Sequence, residues 1–527
     1  MTPNFDVIIV GSGPAGTSAA YPLVQAGLRV LMLDPASGQR SPDVPKGKYL
    51  TNRANETKQW EWMIGKSFHA LNNMEAVSPK LKTPTHEQTF KKFNESNGLI
   101  TENFISVGSL ATGGLSNAWG CGVARFPAED FAGLGIEYSD IATSYGVVAR
   151  RMGISGNTPD DLSDYFGVDE WAQEPIAMDK LHDRLLTKYN KLPSTSRLAE
   201  FRMGRSRVAA LSEDMGDRKA CDLSGNCLWG CHNNALYSAE QEIPKLNLYP
   251  GFHHMSGVLV DGISKEIDGW VVTSTNSGKK FSAKRLLLAA GTLTSTKLAL
   301  GCLQHTAPVP LQASPTAAFL LWLPKMLGTP RKQTLGLGQL SFSLDLSPGI
   351  TAFGSTFSTT GLPMSEFVSR APLSKRYSIE LMAHLLSSCV VGNVFLPGHL
   401  SNHTATLTAE GILKIKGAEH ADTNMLMKKA ETLLRKAYWK LGAVLMPMSF
   451  TVGKPGADIH YSATLPMSAS SKAGTTSNIG EVVGLAGLHI VDGAVLPKLT
   501  EKSHTLTIMA NADRIARVIA SKMHLAS

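Results

Sequence analysis

Cysteine, charge and long apolar runs are all scarce in this chain, and each scarcity excludes something. Six cysteines in 527 residues cannot make a disulfide framework, so packing rather than cross-linking must hold the fold. Charged residues are only 18% of the chain, and its formal net charge of +8 is not gathered into any long Lys/Arg block. Nothing there would track a phosphate backbone or an anionic lipid face, so nucleic acid is not an expected partner. The most apolar internal stretch, TAAFLLWLPKML at 316–327, carries a proline and falls short of the roughly 20 residues a helix needs to span a bilayer. No transmembrane segment is expected, and that stretch reads as core or as a surface over a substrate. No charged leader with an apolar run and cleavage site precedes FDVIIVGSG, so the start reads as a buried strand rather than a signal peptide, and the cytoplasm is the expected location. There is also no internal repeat and no low-complexity linker.

What is present fits an α/β enzyme with many tight turns: 43% hydrophobic residues and 48 glycines. Single cores stop growing at about 250–300 residues, so a chain of this length should form roughly two intertwined domains.

The stretch FDVIIVGSGPAGTSAAYPLVQAGLRVLMLD reads as strand, glycine loop, alanine-rich helix, second strand and terminal acid. Gly11, Gly13 and Gly16 stand in GxGxxG spacing, which serves a tight turn, close backbone approach to a pyrophosphate, and close packing of helix on strand. The phosphates would sit at the helix N-terminus, where unpaired N–H groups favour anions. Asp34 follows Gly16 by 18 residues and ends the second strand, where a carboxylate can accept hydrogen bonds from a ribose. Further on, strand-like runs in GVLVDGISKEIDGWVVTSTNSGKKFSA lead to AKRLLLAAGTLTSTKLAL at 283–300, an apolar strand ending in Ala-Ala-Gly before a helix. A nucleotide half, a long insertion, then a hairpin and a strand returning to the sheet is the order of a flavoprotein. An NAD dehydrogenase usually completes its sheet in one block.

Three blocks together resemble the glucose-methanol-choline (GMC) family of FAD oxidoreductases: the glycine loop with Asp34, SLATGGLSNAWGCGVARF at 109–126, and HYSATLPM followed by GLHIVDGAVLPKLTEKSHTLTIMANADRIARVIA. The resemblance covers nearly the whole chain and is loose at about 305–400. It implies a discontinuous Rossmann-like FAD-binding domain (1–150, 216–304 and 455–527) and a sheet-plus-helices substrate-binding domain (151–215 and 305–454). It further implies that Gly113, Gly114, Ser116, Asn117 and Trp119 line the flavin, that Val258 meets the adenine, and that Asp492, Gly493 and Thr505 return to the pyrophosphate and ribityl chain. The second block is also similar to that of pyranose oxidase, where a histidine is bonded to the flavin. Here that position is Ala118, so noncovalent FAD is expected.

By the same resemblance His460 and His504, 44 residues apart, should face one substrate, His460 as general base and His504 as the group that orients or hydrogen-bonds the substrate oxygen. Many members carry Asn-Pro where this chain has Ser503-His504, and a subset places a histidine in this register. Imidazole suits the task because its ordinary pKa near 6.5 lets it both hold and release a proton. The remaining histidines, His253 and His254 among them, read as surface or core.

Cys221, Cys227 and Cys231 stand at C-x5-C-x3-C beside Gly225 and Gly230. Thiolates bind iron–sulfur clusters and structural zinc, so the three read either as metal ligands, with His232 able to complete a zinc site, or as buried thiols. Their spacing is similar to that of bacterial flavin glucose dehydrogenases, which implies a [3Fe-4S] cluster. The whole resemblance points to oxidation of a small-molecule alcohol, first a hydroxyl of a sugar, aminosugar or cyclitol, second a primary aliphatic or aromatic alcohol, with O2 or an unidentified redox partner as electron acceptor. A lyase that keeps FAD without net redox chemistry is the alternative within the family.

Overall fold

The computed structural model describes residues 4–36, 38, 43–72, 78–369, 371, 373–470 and 472–525. Its first sheet is mainly parallel and collects strands from three distant parts of the chain. The hydrogen-bonded order is Phe252–Met255, Val30–Leu33, Phe5–Val10, Lys279–Leu288, Gly269–Ser274 and Gly262–Glu266, with Leu488–Ile490 also pairing with Lys279–Leu288. The pairs Val7 with Val30, Val7 with Arg285, and Leu287 with His489 run parallel, whereas the hairpin at the far edge is antiparallel. Parallel strands covered on both faces need apolar residues at successive positions, which is why VIIV at 7–10 and VLML at 30–33 are buried without alternation.

One face of this sheet is covered by the helices Pro14–Gln25 and Thr505–Leu525, which pack on each other and, with Tyr138–Met152, tie the beginning of the chain to its end. Their contact is made of small and branched side chains: Ala15, Ala19, Ala20 and Leu23 against Ala512, Ile515, Ala516 and Ile519. The alanines let the two backbones come close enough to exclude water along their length.

A second sheet is antiparallel. It runs Phe201–Arg205, Gly338–Ser347, Ile350–Ser358, Cys389–Phe395 and Thr316–Trp322, with Val444–Leu445 and Thr451–Val452 on the last strand. Side chains alternate between its faces. Leu340, Phe342, Leu344, Phe319, Leu321, Val390 and Val394 pack on the helices Lys180–Lys191 and Thr423–Lys440. Ser341, Phe353, Ser355, Phe357, Val391, Asn393 and Phe395 face the other way, into a cavity. TAAFLLWLPKML accordingly supplies a core strand. A third sheet joins strands Tyr461–Ser462, Val309–Ala313, His403–Leu407, Leu413–Lys416 and Leu99–Glu102, bridging stretches that the resemblance assigns to different domains.

One expectation is corrected here. The segment RYSIELMAHLLSSCVVGNVFLP reads as strands by alternation, yet its first half lies in the helix Lys375–Leu385. Ser374 caps that helix by accepting a hydrogen bond from the Tyr377 N–H, and its buried residues Ser378, Met382 and Leu385 follow a helical period. Only Cys389–Phe395 is a strand.

The wall of the cavity is braced by a buried cation. The Arg207 side chain is fully buried; its guanidinium donates to both oxygens of Asp169 and to Asp160 Oδ2 at 2.7–2.8 Å and lies 5.1 Å from the Phe166 ring centre. Removing one partner of a buried charged network leaves the others uncompensated, at a cost of about 3–5 kcal/mol. Arg207→Met should therefore lower the unfolding free energy by that amount, read as a lower urea midpoint at unchanged m-value; an unchanged midpoint would mean that the network contributes nothing to stability.

Candidate active site

The strand Phe5–Val10 ends at Gly11, and the helix Pro14–Gln25 begins three residues later with proline in its first turn, where a missing N–H costs nothing. Gly11 has φ +110°, and a Cβ on it would lie 2.2 Å from the Ala289 carbonyl oxygen. A Cβ on Gly16 would lie 2.0 Å from the Gly11 carbonyl oxygen, so these two glycines close the turn and seat the helix on the strand. Gly13 differs: a Cβ there would meet nothing within 4 Å, because it faces open space. As the helix N-cap it has no side chain to satisfy the first N–H groups, which are left for an anion.

That open space is one cavity of about 930 Å³, near the top of the range of about 300–1,000 Å³ usual for ligand sites. It is long enough to pass Gly11 and Gly13, then Asp34 and Val258, then the second block, and to end at His460 and His504. Gly114 has φ +61° and stands across from Gly13, its Cβ position 3.3 Å from the Gly13 Cα, so two stretches of bare backbone face one another over the loop. Ser12 Oγ accepts a hydrogen bond from the Gly113 N–H at 3.2 Å and fixes that spacing. The cradle suits a dinucleotide: glycines where side chains would intrude, free helix donors, and a carboxylate at the ribose end.

The other expected residues fall into two groups. Gly114, Ser116, Trp119, Val258, Asp492, Gly493 and Thr505 line the cavity, as does Ala118. Gly16, Gly113 and Asn117 do not; they hold its walls. The Asn117 amide donates to the Thr112 carbonyl at 2.8 Å and its oxygen accepts from the Ser238 hydroxyl, which locks the second block in place. Val258 donates its N–H to the Asp34 carbonyl at 2.8 Å. Asp492 is buried, accepts from the Ser295 hydroxyl and the Ala494 N–H, and burial pushes its carboxyl up to about 6.

Asp34 is less alone than the sequence implies. Its Oδ2 lies 2.7 Å from His254 Nε2 and accepts from the Thr112 hydroxyl at 3.0 Å, while Oδ1 accepts from the Ala36 N–H. Burial raises its carboxyl, but His254, the Ser12 hydroxyl and the Ala36 N–H outweigh it and hold it below the ordinary value. His254, which the sequence suggests is surface or core, thus belongs to the site; the strand Phe252–Met255 pairs beside Val30–Leu33 and carries it there. Two further cavity residues escape the motifs. Lys80 is partly buried, its ammonium donates to the Trp119 carbonyl, and desolvation pushes it down. Asp458 is the other, two residues before His460.

His460 and His504 meet. Their ring centres are 4.9 Å apart and nearly perpendicular, at 79°. His504 is 8% exposed and precedes the helix Thr505–Leu525; its Nδ1 has no hydrogen-bond partner among the described residues. The His460 side chain, 27% exposed on its cavity side, packs against the Phe395 ring at 5.3 Å. Desolvation lowers both imidazoles, His460 to about 4 and His504 well below the ordinary value, with the facing His460 ring adding a smaller push in the same direction.

The cysteines require a correction. Among the described residues no group of three or more His, Cys, Asp or Glu side chains is gathered into a metal-binding arrangement, so the expected three-thiolate site for a [3Fe-4S] cluster is not formed by Cys221, Cys227 and Cys231. Burial pushes the Cys221 thiol up to about 11 and the Cys227 thiol up to about 12. The nearby His232 Nε2 is 3.2 Å from Asp222 instead. All six cysteines are free, and among the described residues no helix is long and apolar enough to cross a membrane.

The fold combines a Rossmann-like sheet and glycine loop with a second sheet, and one cavity is lined by both. Residues 4–58 match the family model described as FAD binding domain, and residues 422–512 match the one described as GMC oxidoreductase. Each match covers part of the chain, and together they liken it to FAD-binding proteins near its start and to GMC oxidoreductases near its end. Over 81 residues the chain is also 31% identical to a digeranylgeranylglycerophospholipid reductase of Sulfolobus acidocaldarius, a stretch amounting to 15% of this chain and 18% of that reductase.

The glycines separate two effects. Gly16→Ala forces a Cβ onto backbone and should cost about 1–3 kcal/mol of stability as well as flavin. Gly13→Ala, whose φ of −72° suits alanine, should leave the melting temperature of flavin-free protein unchanged while lowering bound FAD per chain. Equal FAD content in Gly13→Ala and wild type would show that the pyrophosphate does not approach this backbone.

Proposed function

We propose that the protein oxidises an alcohol to a carbonyl, with noncovalently held FAD as hydride acceptor and His460 as general base. The observation that carries this reading is the meeting of His460 and His504 on the wall of the same cavity that runs past the glycine loop. Gly11, Gly13 and Asp34 are the proposed holders of the pyrophosphate and ribose. Gly114, Ser116 and Trp119 would flank the ring, and Asp492, Gly493 and Thr505 the linking chain. FAD, when bound, supplies the group that takes hydride from the substrate carbon.

The chain's own residues must hold the alcohol and take its proton. Burial keeps both imidazoles neutral, the state able to accept from a hydroxyl. As the O–H bond breaks, its proton goes to an imidazole nitrogen, its electron pair forms the carbonyl, and the C–H electron pair leaves with the hydride. His504, with a buried nitrogen that has no protein partner, is the proposed orienting group; such a nitrogen costs about 1–3 kcal/mol until something bonds to it, which favours a bound oxygen.

A hydroxyl of a sugar, aminosugar or cyclitol is the favoured substrate, supported by Ser341, Ser355 and Asn393 on the cavity face of the second sheet. A primary aliphatic or aromatic alcohol is the second reading, favoured by Phe166, Phe353, Phe357 and Phe395 on the same wall. Six unpaired cysteines support a reducing compartment such as the cytoplasm. The flavin domain is proposed to comprise 1–150, 216–304 and 455–527, a division supported by the three sources of the parallel sheet.

D-glucose, D-glucosamine, myo-inositol and benzyl alcohol, added anaerobically, test the reading: at least one should bleach the visible flavin absorbance. Peroxide release compared with dye reduction then distinguishes O2 from another acceptor. In His460→Ala the bleaching rate should fall by about 10² to 10⁴, the usual contribution of a positioned base, with FAD content unchanged. Full activity of that variant would exclude His460 as the base.

A further inference from the structure

His460 has a carboxyl behind it. Asp458 Oδ2 lies 3.7 Å from His460 Nδ1, and the Asp458 side chain has no exposure at all. The backbone holds this arrangement tightly: Ile459, between them, has φ +61°, a left-handed conformation that a β-branched residue adopts only under constraint. Asp458 is pinned on its other side, where Oδ2 accepts from the Ser314 N–H at 2.7 Å, and Ser314 follows the strand Val309–Ala313 that pairs with Tyr461–Ser462. Among the described residues Asp458 Oδ1 has no hydrogen-bond partner, and both Asp458 and His460 line the cavity. A buried carboxyl with an unsatisfied oxygen is costly unless something bonds to it.

We propose that Asp458 is the positioning residue of His460 and the final holder of the substrate proton, so that the carboxyl and imidazole act as a relay pair. The proposal rests on the reading of His460 as base. In the reactive form Asp458 is a carboxylate accepting from Nδ1–H of His460, which leaves Nε2 bare toward the alcohol. The hydroxyl proton then forms a bond to Nε2 while the Nδ1 proton passes to Asp458. The alcohol oxygen gives up one proton, the pair gains one, and the products of the transfer are a neutral acid and a neutral imidazole.

This outcome suits the surroundings better than a lone imidazolium would. The same burial that lowers His460 to about 4 raises Asp458 well above the ordinary carboxylate range, against the pull of neighbouring backbone N–H groups. Burial thus favours the neutral form of each group, a bare ring and a protonated carboxyl, and passing the proton through leaves both without charge. The groups around the pair are His504 beside the His460 ring, the Tyr461 phenol, which donates to the Ile105 and Gly456 carbonyls, and Lys454 and Glu501 farther along the cavity lining. Glu501 is itself raised by burial and bonded by the Tyr165 hydroxyl. Among the described residues neither Asp458 nor His460 is paired with lysine or arginine.

The sign of the pH effect follows. A pair that already carries the Asp458 proton cannot accept another from the alcohol, so kcat/KM should rise with pH through the raised Asp458 value. In Asp458→Asn that limb should move to lower pH, toward the value of a lone buried His460. Its kcat should fall by about 10- to 100-fold, less than the full contribution of a base. With imidazole-¹⁵N histidine, NMR of the wild-type holoenzyme above the limb should show His460 as the Nδ1–H tautomer, and Asp458→Asn should lose that preference while keeping its FAD and visible spectrum. An unshifted limb with unchanged tautomer in Asp458→Asn, or an Nε2–H tautomer in the wild type above the limb, overturns the proposal. If the variant does not fold, or no alcohol of the panel reacts, the wild-type tautomer decides alone. Loss of activity in His460→Ala with an unaltered Asp458→Asn removes only Asp458; full activity in His460→Ala removes the reading beneath it.

Discussion

The structure depends on bringing the two ends of the chain into one layer. Strand Leu488–Ile490 adds in parallel to Lys279–Leu288, which itself lies beside Phe5–Val10, and helix Thr505–Leu525 then packs on Pro14–Gln25. Parallel pairing cannot be made by a tight turn, so long crossovers are obligatory, and the sheet is buried on both faces. Without that packing the glycine loop would still bind phosphate in principle, but it would face no imidazole.

The site follows from the same constraint. The second sheet uses one face to build a core against Lys180–Lys191 and Thr423–Lys440, and strict alternation turns Ser341, Phe353, Ser355 and Asn393 toward the cavity. The first sheet delivers the loop, and the tail delivers the histidines. Two of the charged groups there are offset locally: Arg207 by Asp160 and Asp169, Asp34 by His254 and the Thr112 hydroxyl. His460 and His504 are kept neutral by burial, and His504 Nδ1 and Asp458 Oδ1, both on cavity-lining residues, have no hydrogen-bond partner among the described residues.

The residues that eluded sequence reading did so for identifiable reasons. His254 sits in an ordinary-looking FHHM, and only the register of the Phe252–Met255 strand against Val30–Leu33 points it at Asp34. The segment RYSIELMAHL alternates enough to suggest a strand, but its Ser374 cap and the burial of Ser378, Met382 and Leu385 make it a helix. The C-x5-C-x3-C spacing suggests ligands, whereas metal binding needs sulfurs gathered at a point, and spacing along the chain does not set that distance.

What the sequence determined by itself is local. Glycines at 11, 13 and 16 between an apolar strand and an alanine-rich helix already specify a nucleotide turn, because the steric demands lie within about twenty residues. The cavity, the 4.9 Å meeting of His460 with His504 and the carboxyl behind His460 were decided only by tertiary structure. Those distances come from sheet register and helix packing between segments hundreds of residues apart, and from burial, which set the protonation of groups that the sequence can name but cannot surround.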